Sequence, residues 1–273
     1  MTVEELICFG KKYIHKDQAE MLLAALLNVN TLELLLMLDK KIDDDICNQY
    51  KEKILLIKEN KPIQYVIGNV NFYGNIFMVN ENVLIPRFET EELVENTINY
   101  IKKYSDKKVN IIDLGCGSGC IGLTLKKKID ADVTLLDISN KALEVAKENA
   151  NNLNCDVTFI LSDMWNNVID KYDVIISNPP YIRCDEEIEE IVYNNEPHLA
   201  LYGGNDGLLM YHKIRDDLLN HVNEKFLLAL EIGDLQKDDV TKIFSDIPNV
   251  KIISKKDLSK RDRMIFVFRN IDI

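Results

Sequence analysis

The sequence predicts an α/β protein: a seven-stranded, largely parallel sheet with helices on both faces, preceded by a small helical domain and joined to it by a β-hairpin. Three observations carry this reading. From residue 109 onward, apolar strand-like runs alternate with helical patterns, as parallel strands joined by crossover helices require. Residues 1 to about 60 instead carry apolar side chains at helical spacing. The last gap, residues 256–263, is too short for a crossover helix, so the final two strands should pair antiparallel.

In chain order, Ala19, Leu22, Leu23, Leu26 and Leu27 share one helical face, and Leu32, Leu35, Leu36 and Met37 follow in a second short helix after a break at 28–31. A third helix is expected over 43–59, ending before Lys61-Pro62. Residues 70–79 read as two short strands around a Gly74-Asn75 turn. A helix over 91–104 follows, its acidic start suited to the helix dipole. Strands are expected at 109–114, 132–137, 157–163, 172–178, 225–232, 250–255 and 264–269, with helices at 141–152, 207–222 and 236–244 in the gaps. The expected domains are residues 1–68, a hairpin linker at 69–88, and 89–273.

Composition excludes several classes. The chain of 273 residues carries a net charge of -12, which counts against a generic nucleic-acid binder with its basic footprint. The acidic start, Thr2-Val3-Glu4-Glu5-Leu6, is unlike a signal peptide, and the apolar region 21–38 is interrupted by Asn28, Asn30 and Glu33. The six cysteines form no C-x-x-C pair and read as reduced, buried thiols of a cytoplasmic protein rather than zinc ligands. No metal and no membrane are expected. The four histidines have no triad-like spacing and read as solvated or structural.

Two stretches carry chemistry. Asp113-Leu114-Gly115-Cys116-Gly117-Ser118-Gly119 closes a strand and opens a helix, where glycines allow close backbone approach and the helix N-terminus offers free N–H groups. One frame, Gly117 to Gly122, matches the dinucleotide fingerprint, but the acid ahead of the first glycine, Asp113, fits S-adenosylmethionine better. In that reading Gly115 and Asp113 serve its methionine end. Asp137, ending the next strand 20 residues after Gly117, accepts from the ribose hydroxyls. Asp163 and Met164, at the end of the third strand, fall beside the adenine.

The second stretch is Asn178-Pro179-Pro180-Tyr181, directly after an apolar strand. Two prolines end the strand, and the residue before a proline is held extended, which fixes the Asn178 side chain at the sheet's carboxyl edge. An amide oxygen, a proline carbonyl and an aromatic ring suit a planar –NH2 group, so the chemistry is on an amide or base nitrogen.

The glycine loop resembles motif I of class I methyltransferases, and Asn178-Pro179-Pro180-Tyr181 resembles the motif of those that act on planar amino nitrogens. Ile85-Pro86-Arg87-Phe88-Glu89-Thr90-Glu91, Glu196-Pro197, Ala200-Leu201 and Gly203-Gly204-Asn205-Asp206-Gly207 resemble segments of the HemK/PrmC family, the glutamine methyltransferases of peptide chain release factors. Phe88 and Met164 depart from that pattern, where many members have proline and some have tryptophan. The resemblance implies a Rossmann-like class I methyltransferase domain and methylation of the glutamine amide in the Gly-Gly-Gln loop of class 1 release factors. It implies that Gly115, Cys116, Gly117, Ser118, Gly119, Asp137, Met164 and Asn178 bind the donor, to which the loop and strand-end readings add Asp113 and Asp163. Asn178, Pro179, Pro180 and Tyr181 would hold the glutamine, with Tyr181 against the flat amide. The Arg87 side chain is read as touching the protein substrate, closing over the site or forming a surface ion pair, and Glu196 as orienting substrate or capping a loop. The helical domain would grip the release factor, and the protein would act as a monomer without direct nucleic-acid contact. Rival readings are an adenine-N6 methyltransferase of DNA or RNA, a non-catalytic module that binds translation factors and, more distantly, a dehydrogenase.

Overall fold

The computed structural model describes residues 1–272, which divide into two compact units: Met1–Asn69 with Glu189–Asn195, and the remainder. The first unit holds α1 (Val3–Gly10), α2 (Lys16–Leu27), α3 (Thr31–Leu35), α4 (Asp44–Lys58) and α5 (Ile63–Ile67). Capping boxes start α1 and α3: the Thr2 and Asn30 side chains accept from the N–H groups of Glu5 and Glu33, whose carboxylates accept back from the cap N–H groups. Asn28 ends α2 in the left-handed region at φ 52°, which explains the break read between the two leucine stripes. Val3, Leu6, Leu22, Leu23, Tyr50 and Ile54 form the centre of this unit's core.

Helix α5 is absent from the sequence reading, which places only a change of pattern at Lys61-Pro62. Pro62 caps the start of this short helix, where its missing N–H costs nothing, and Gly68 closes it at φ 92°. A second unforeseen helix, Glu190–Asn195, belongs to the same unit, and the Asn195 amide donates to the Asn60 carbonyl at 2.9 Å.

The second unit opens with the hairpin β1 (Asn69–Phe72) and β2 (Asn75–Met78). Its turn is Tyr73-Gly74, one residue earlier than read: φ is positive at both (50° and 76°), the pattern of a type I′ turn, and Asn75 already belongs to β2. Phe72 and Phe77 are buried in the core of the sheet domain. There follow α6 (Phe88–Tyr104), β3 (Val109–Leu114), α7 (Cys120–Lys128), β4 (Ala131–Asp137), α8 (Asn140–Asn152), β5 (Thr158–Leu161) and β6 (Tyr172–Ser177). After α9 (the Glu190–Asn195 helix) come α10 (Leu209–Asp217), β7 (Val222–Glu231), α11 (Lys237–Phe244), β8 (Val250–Lys256) and β9 (Asp262–Arg269).

The sheet has seven strands in the order β5-β4-β3-β6-β7-β9-β8, parallel from β5 to β7. β9 runs antiparallel to both its neighbours; the short last gap required this of β8 and β9, and the pairing of β9 with β7 is a further feature of the fold. Alternate residues of each strand feed two cores: Ile111, Val174, Ile176 and Ala229 pack under α6, α7 and α8, while Ile112, Ile175, Leu228 and Leu230 pack under α10 and α11. β5 is shorter than read. At its end Ser162 Oγ donates to the Met164 carbonyl and accepts from Asn167 N–H, and Met164 sits at φ 48°, a turn that ends the ladder at Leu161.

Candidate active site

The carboxyl ends of β3 and β6 meet at the centre of the sheet, where the strand order reverses, and a cavity opens there. Beyond β3 the chain turns through the glycine loop into α7. Gly115 and Cys116 N–H both donate to the Leu136 carbonyl (2.8 and 2.9 Å), and Gly117 N–H donates to Asp137 Oδ2 (2.9 Å). Asp137 Oδ1 accepts from Ser139 N–H at 2.8 Å. Asp137 thus holds the loop to the end of β4. Burial pushes its pKa up, opposed by these N–H bonds, and a carboxylate with about four acceptor positions still has two to offer a ligand.

The cavity measures about 280 Å³, near the lower bound of roughly 300 Å³ for small-molecule pockets. Gly115, Cys116, Gly117 and Ser118 line one side of it, with Asp137, Asp163 and Met164. Asn178, Pro179, Pro180 and Arg87 line the other. Eleven residues spread over the sequence from 87 to 180 are therefore brought to one space.

Four expected site residues are not on its wall. Gly119 supports the loop, at φ 79° with its Cα facing Leu123, Leu135 and Ala146. Asp113 lies fully buried beneath the loop, Oδ2 accepting from Gly122 N–H at 2.9 Å, and burial pushes its pKa up to about 7. Glu196 is buried and its carboxylate is occupied: Oε1 accepts from Arg87 and Oε2 from Ile85 N–H at 3.0 Å. Its visible work is to hold the 85–87 segment. The Tyr181 ring was expected against a flat amide. Its hydroxyl instead lies 3.5 Å from both Glu231 and Arg263, a buried carboxylate and guanidinium that draw it inward, and burial raises its pKa.

Asn178 is set by two residues to which the sequence reading gave no role. Its Nδ2 donates to Thr90 Oγ1 (3.1 Å), and the Thr90 hydroxyl donates to Glu231 Oε2 (2.7 Å). Thr90 lay inside a segment singled out for other residues, and Glu231 carried only the weak signal of an acid at a strand end. Ser177 Oγ donates to the Leu114 carbonyl at 2.6 Å and ties the ends of β6 and β3 together.

The glycines at 203 and 207 have a steric reason. A Cβ on Gly203 would stand 2.5 Å from the Pro180 carbonyl oxygen, and one on Gly207 2.4 Å from that of Tyr181. Gln236 Nε2 donates to the carbonyls of both Tyr181 and Gly207 (3.0 and 3.2 Å), clamping the two loops. Lys213, also missed, lines the cavity and pairs with Asp163 at 3.0 Å.

Trp165 donates its Nε1–H to the Ile214 carbonyl and stacks on His221, whose Nε2 lies 3.0 Å from Asp217. Burial pushes the Cys116 thiol well up and that of Cys120 to about 12, so both are neutral. Among the described residues no cluster suits a metal ion and no helix is long and apolar enough to cross a membrane.

The lining fits a nucleoside-bearing sulfonium. Cβ atoms on Gly115 and Gly117 would meet nothing within 4 Å and would project where a ligand must pass. Asp113 Oδ1, buried just below, has no hydrogen-bond partner among the described residues. Asp137 keeps acceptor capacity at the distance along the chain that ribose recognition requires.

The fold is shared with solved methyltransferases. One from Pyrococcus furiosus aligns with a TM-score of 0.55 at 19% identity, covering 80% of this chain and 96% of that one. Within the chain, the methyltransferase small domain family matches residues 90–204 and the PrmC N-terminal domain family matches 14–68. Fold and site thus define a methyltransferase, with S-adenosylmethionine as its cofactor. The release factor glutamine methyltransferase of Bacillus cereus is 37% identical over 97% of this chain and 99% of its own length. That of Flavobacterium psychrophilum is 39% identical over 90% and 89%. The chain belongs to the release factor glutamine methyltransferase family.

Proposed function

We propose that this protein methylates class 1 peptide chain release factors in the cytoplasm, on the side-chain amide nitrogen (N5) of the glutamine in their Gly-Gly-Gln loop. The observation that carries the reading is Asn178. Its Nδ2 is taken by Thr90, so the group it can offer across the cavity from the glycine loop is the acceptor Oδ1. An acceptor there suits an –NH2 group.

An amide nitrogen is a poor nucleophile because its lone pair is shared with the carbonyl. Bound S-adenosylmethionine supplies an electrophilic methyl on sulfur. Asn178 Oδ1 and the Pro179 carbonyl accept the two amide hydrogens, turn the nitrogen toward that methyl, and stabilise the positive charge that develops on it. The nitrogen–carbon bond would form as the carbon–sulfur bond breaks, S-adenosylhomocysteine would leave, and the nitrogen would give up one of its two hydrogens as a proton to solvent. Placement supplies most of the remaining gain. Gly115 to Ser118 and Asp137 hold the donor, Asp163 with Lys213 and Met164 border its base, and Arg87, braced by Glu196, borders the substrate side. Tyr181 acts through its buried contacts rather than on the amide face. The helical N-terminal unit contributes to gripping the release factor.

The test is mass spectrometry of release factor after incubation with this protein and S-adenosylmethionine. One methyl on the loop glutamine is expected. Methyl on DNA or RNA adenine instead, or on no acceptor, would overturn the reading.

A further inference from the structure

An asparagine amide keeps its shape when turned by half a revolution, but the turn exchanges an acceptor for two donors. The proposed chemistry needs the acceptor outward. What decides between the two orientations lies behind Asn178, and it is a chain with a direction. Asn178 Nδ2 donates to Thr90 Oγ1 at 3.1 Å, and Thr90 Oγ1 donates to Glu231 Oε2 at 2.7 Å. A hydroxyl has one hydrogen. If that hydrogen goes to Glu231, Thr90 can only accept from Asn178, and Nδ2 must face inward.

We infer that Thr90 and Glu231 are positioning residues that set the polarity of Asn178, so that the site takes a substrate donating N–H, the glutamine amide, and rejects the isosteric carboxylate of glutamate. The inference rests on the amide-methylation reading above. Glutamate in the same place would set a carboxylate oxygen against Asn178 Oδ1, acceptor against acceptor, and while Glu231 is ionised the relay allows no rotation of Asn178 to relieve it.

The surroundings of Glu231 support the assignment. Its side chain is buried, with Thr90 and Glu89 facing it from α6, Arg263 from β9, the hydroxyl of Tyr181 at 3.5 Å, and Cys120 from α7. Tyr211 donates to its backbone carbonyl at 3.0 Å. Arg263 is itself shared with Asp257 at 3.3 Å and with the Ile232 carbonyl at 3.2 Å, so Glu231 is only partly neutralised. Burial pushes the Glu231 pKa up to about 7, against the pull of the Thr90 hydrogen bond and Arg263. A protonated Glu231 can donate to Thr90 and free the hydroxyl hydrogen for Asn178 Oδ1, which reverses the chain. Turnover should therefore rise with pH through the neutral range as Glu231 ionises.

The experiment measures methyl transfer from labelled S-adenosylmethionine to full-length release factor, with kcat and KM from pH 5.5 to 8.5, and donor affinity by calorimetry. Thr90→Val keeps the shape and removes the relay. It should lower kcat by about ten- to a hundredfold, with donor affinity within about threefold of wild type. Thr90→Ser restores the hydroxyl and should recover most of the loss. Glu231→Gln can either accept or donate, so it should lower kcat and flatten the rising limb near neutral pH. A release factor carrying glutamate in place of the loop glutamine should inhibit Thr90→Val more strongly than wild type. If wild type methylates its substrate but Thr90→Val and Glu231→Gln retain its kcat and pH profile, the relay is overturned and the amide reading stands. If wild type transfers no methyl to release factor, the amide reading fails and takes the relay with it. Should Thr90→Val not bind donor, Glu231→Gln and Thr90→Ser decide by the same profile.

Discussion

Replacing Asn178 by alanine separates catalysis from folding, because the structure gives the residue little to do for stability. Among the described residues its side chain makes one hydrogen bond, to Thr90 at 3.1 Å, and Thr90 keeps Glu231 as partner when that bond is lost. The stability cost is therefore that of a single neutral hydrogen bond, about 1 kcal/mol. The catalytic cost is larger. Asn178 Oδ1 is one of two acceptors proposed for the reacting amide, and loss of one such preorganised group costs about 3 kcal/mol, or roughly 10²–10³ in kcat. Donor binding draws mainly on the glycine loop and Asp137, so its affinity should stay within about threefold. The assay is single-turnover methyl transfer to release factor, paired with calorimetry of donor binding and a thermal melt. Turnover within about fivefold of wild type, with the melt unchanged, would refute the assignment of Asn178 to the amide.

Three further outcomes follow from particular contacts. Gly122→Ala places a Cβ 2.3 Å from Leu135 Cδ2 and 3.1 Å from Asp113 Oδ2, so α7 must shift; a loss of about 1–3 kcal/mol in urea unfolding is expected, with weaker donor binding. Glu196→Gln can satisfy Ile85 N–H but turns a donor toward Arg87, which should cost about 2 kcal/mol and lower kcat/KM on release factor more than donor affinity. Equal loss of both would argue that the pair only supports the fold. Glu231 has its pKa raised on folding from 4.5 to about 7. The native state then holds a proton that the unfolded chain has released, so this contribution is present below about pH 4.5 and is lost as pH climbs through 7. Calorimetric melts should show wild type losing stability across that window relative to Glu231→Gln; parallel pH curves for the two proteins would contradict the buried-acid assignment.

Local pattern determined much of this protein. The alternation of strands and helices from β3 onward, the antiparallel return of β9, the helical first unit and the glycine loop at the end of β3 all rest on signals within about ten residues, such as periodicity, turn residues and gap length. So do the prolines that end β6. The nature of the ligand and the planar –NH2 acceptor could be argued from those same stretches, because the chemistry of each lies within one turn of the chain.

Side-chain partnership across the sheet was decided only by the tertiary structure. Thr90, Asn178 and Glu231 are separated by 88 and then 53 positions, and nothing local says that one hydroxyl serves both neighbours. Arg87 and Glu196 were left between substrate contact and a structural role, and no local signal paired them; they are 109 residues apart and bind each other. Asp113 stands beside the glycine loop in sequence, but only the folded sheet shows that its carboxylate lies beneath the loop, Oδ2 taken by Gly122 N–H and Oδ1 without a partner among the described residues. Tyr181 was placed on the amide by such adjacency, and the buried charges of Glu231 and Arg263 draw its hydroxyl elsewhere. Backbone position is a local property of this chain; where a polar side chain points depends on which buried donors and acceptors the folded sheet brings within 3 Å of it.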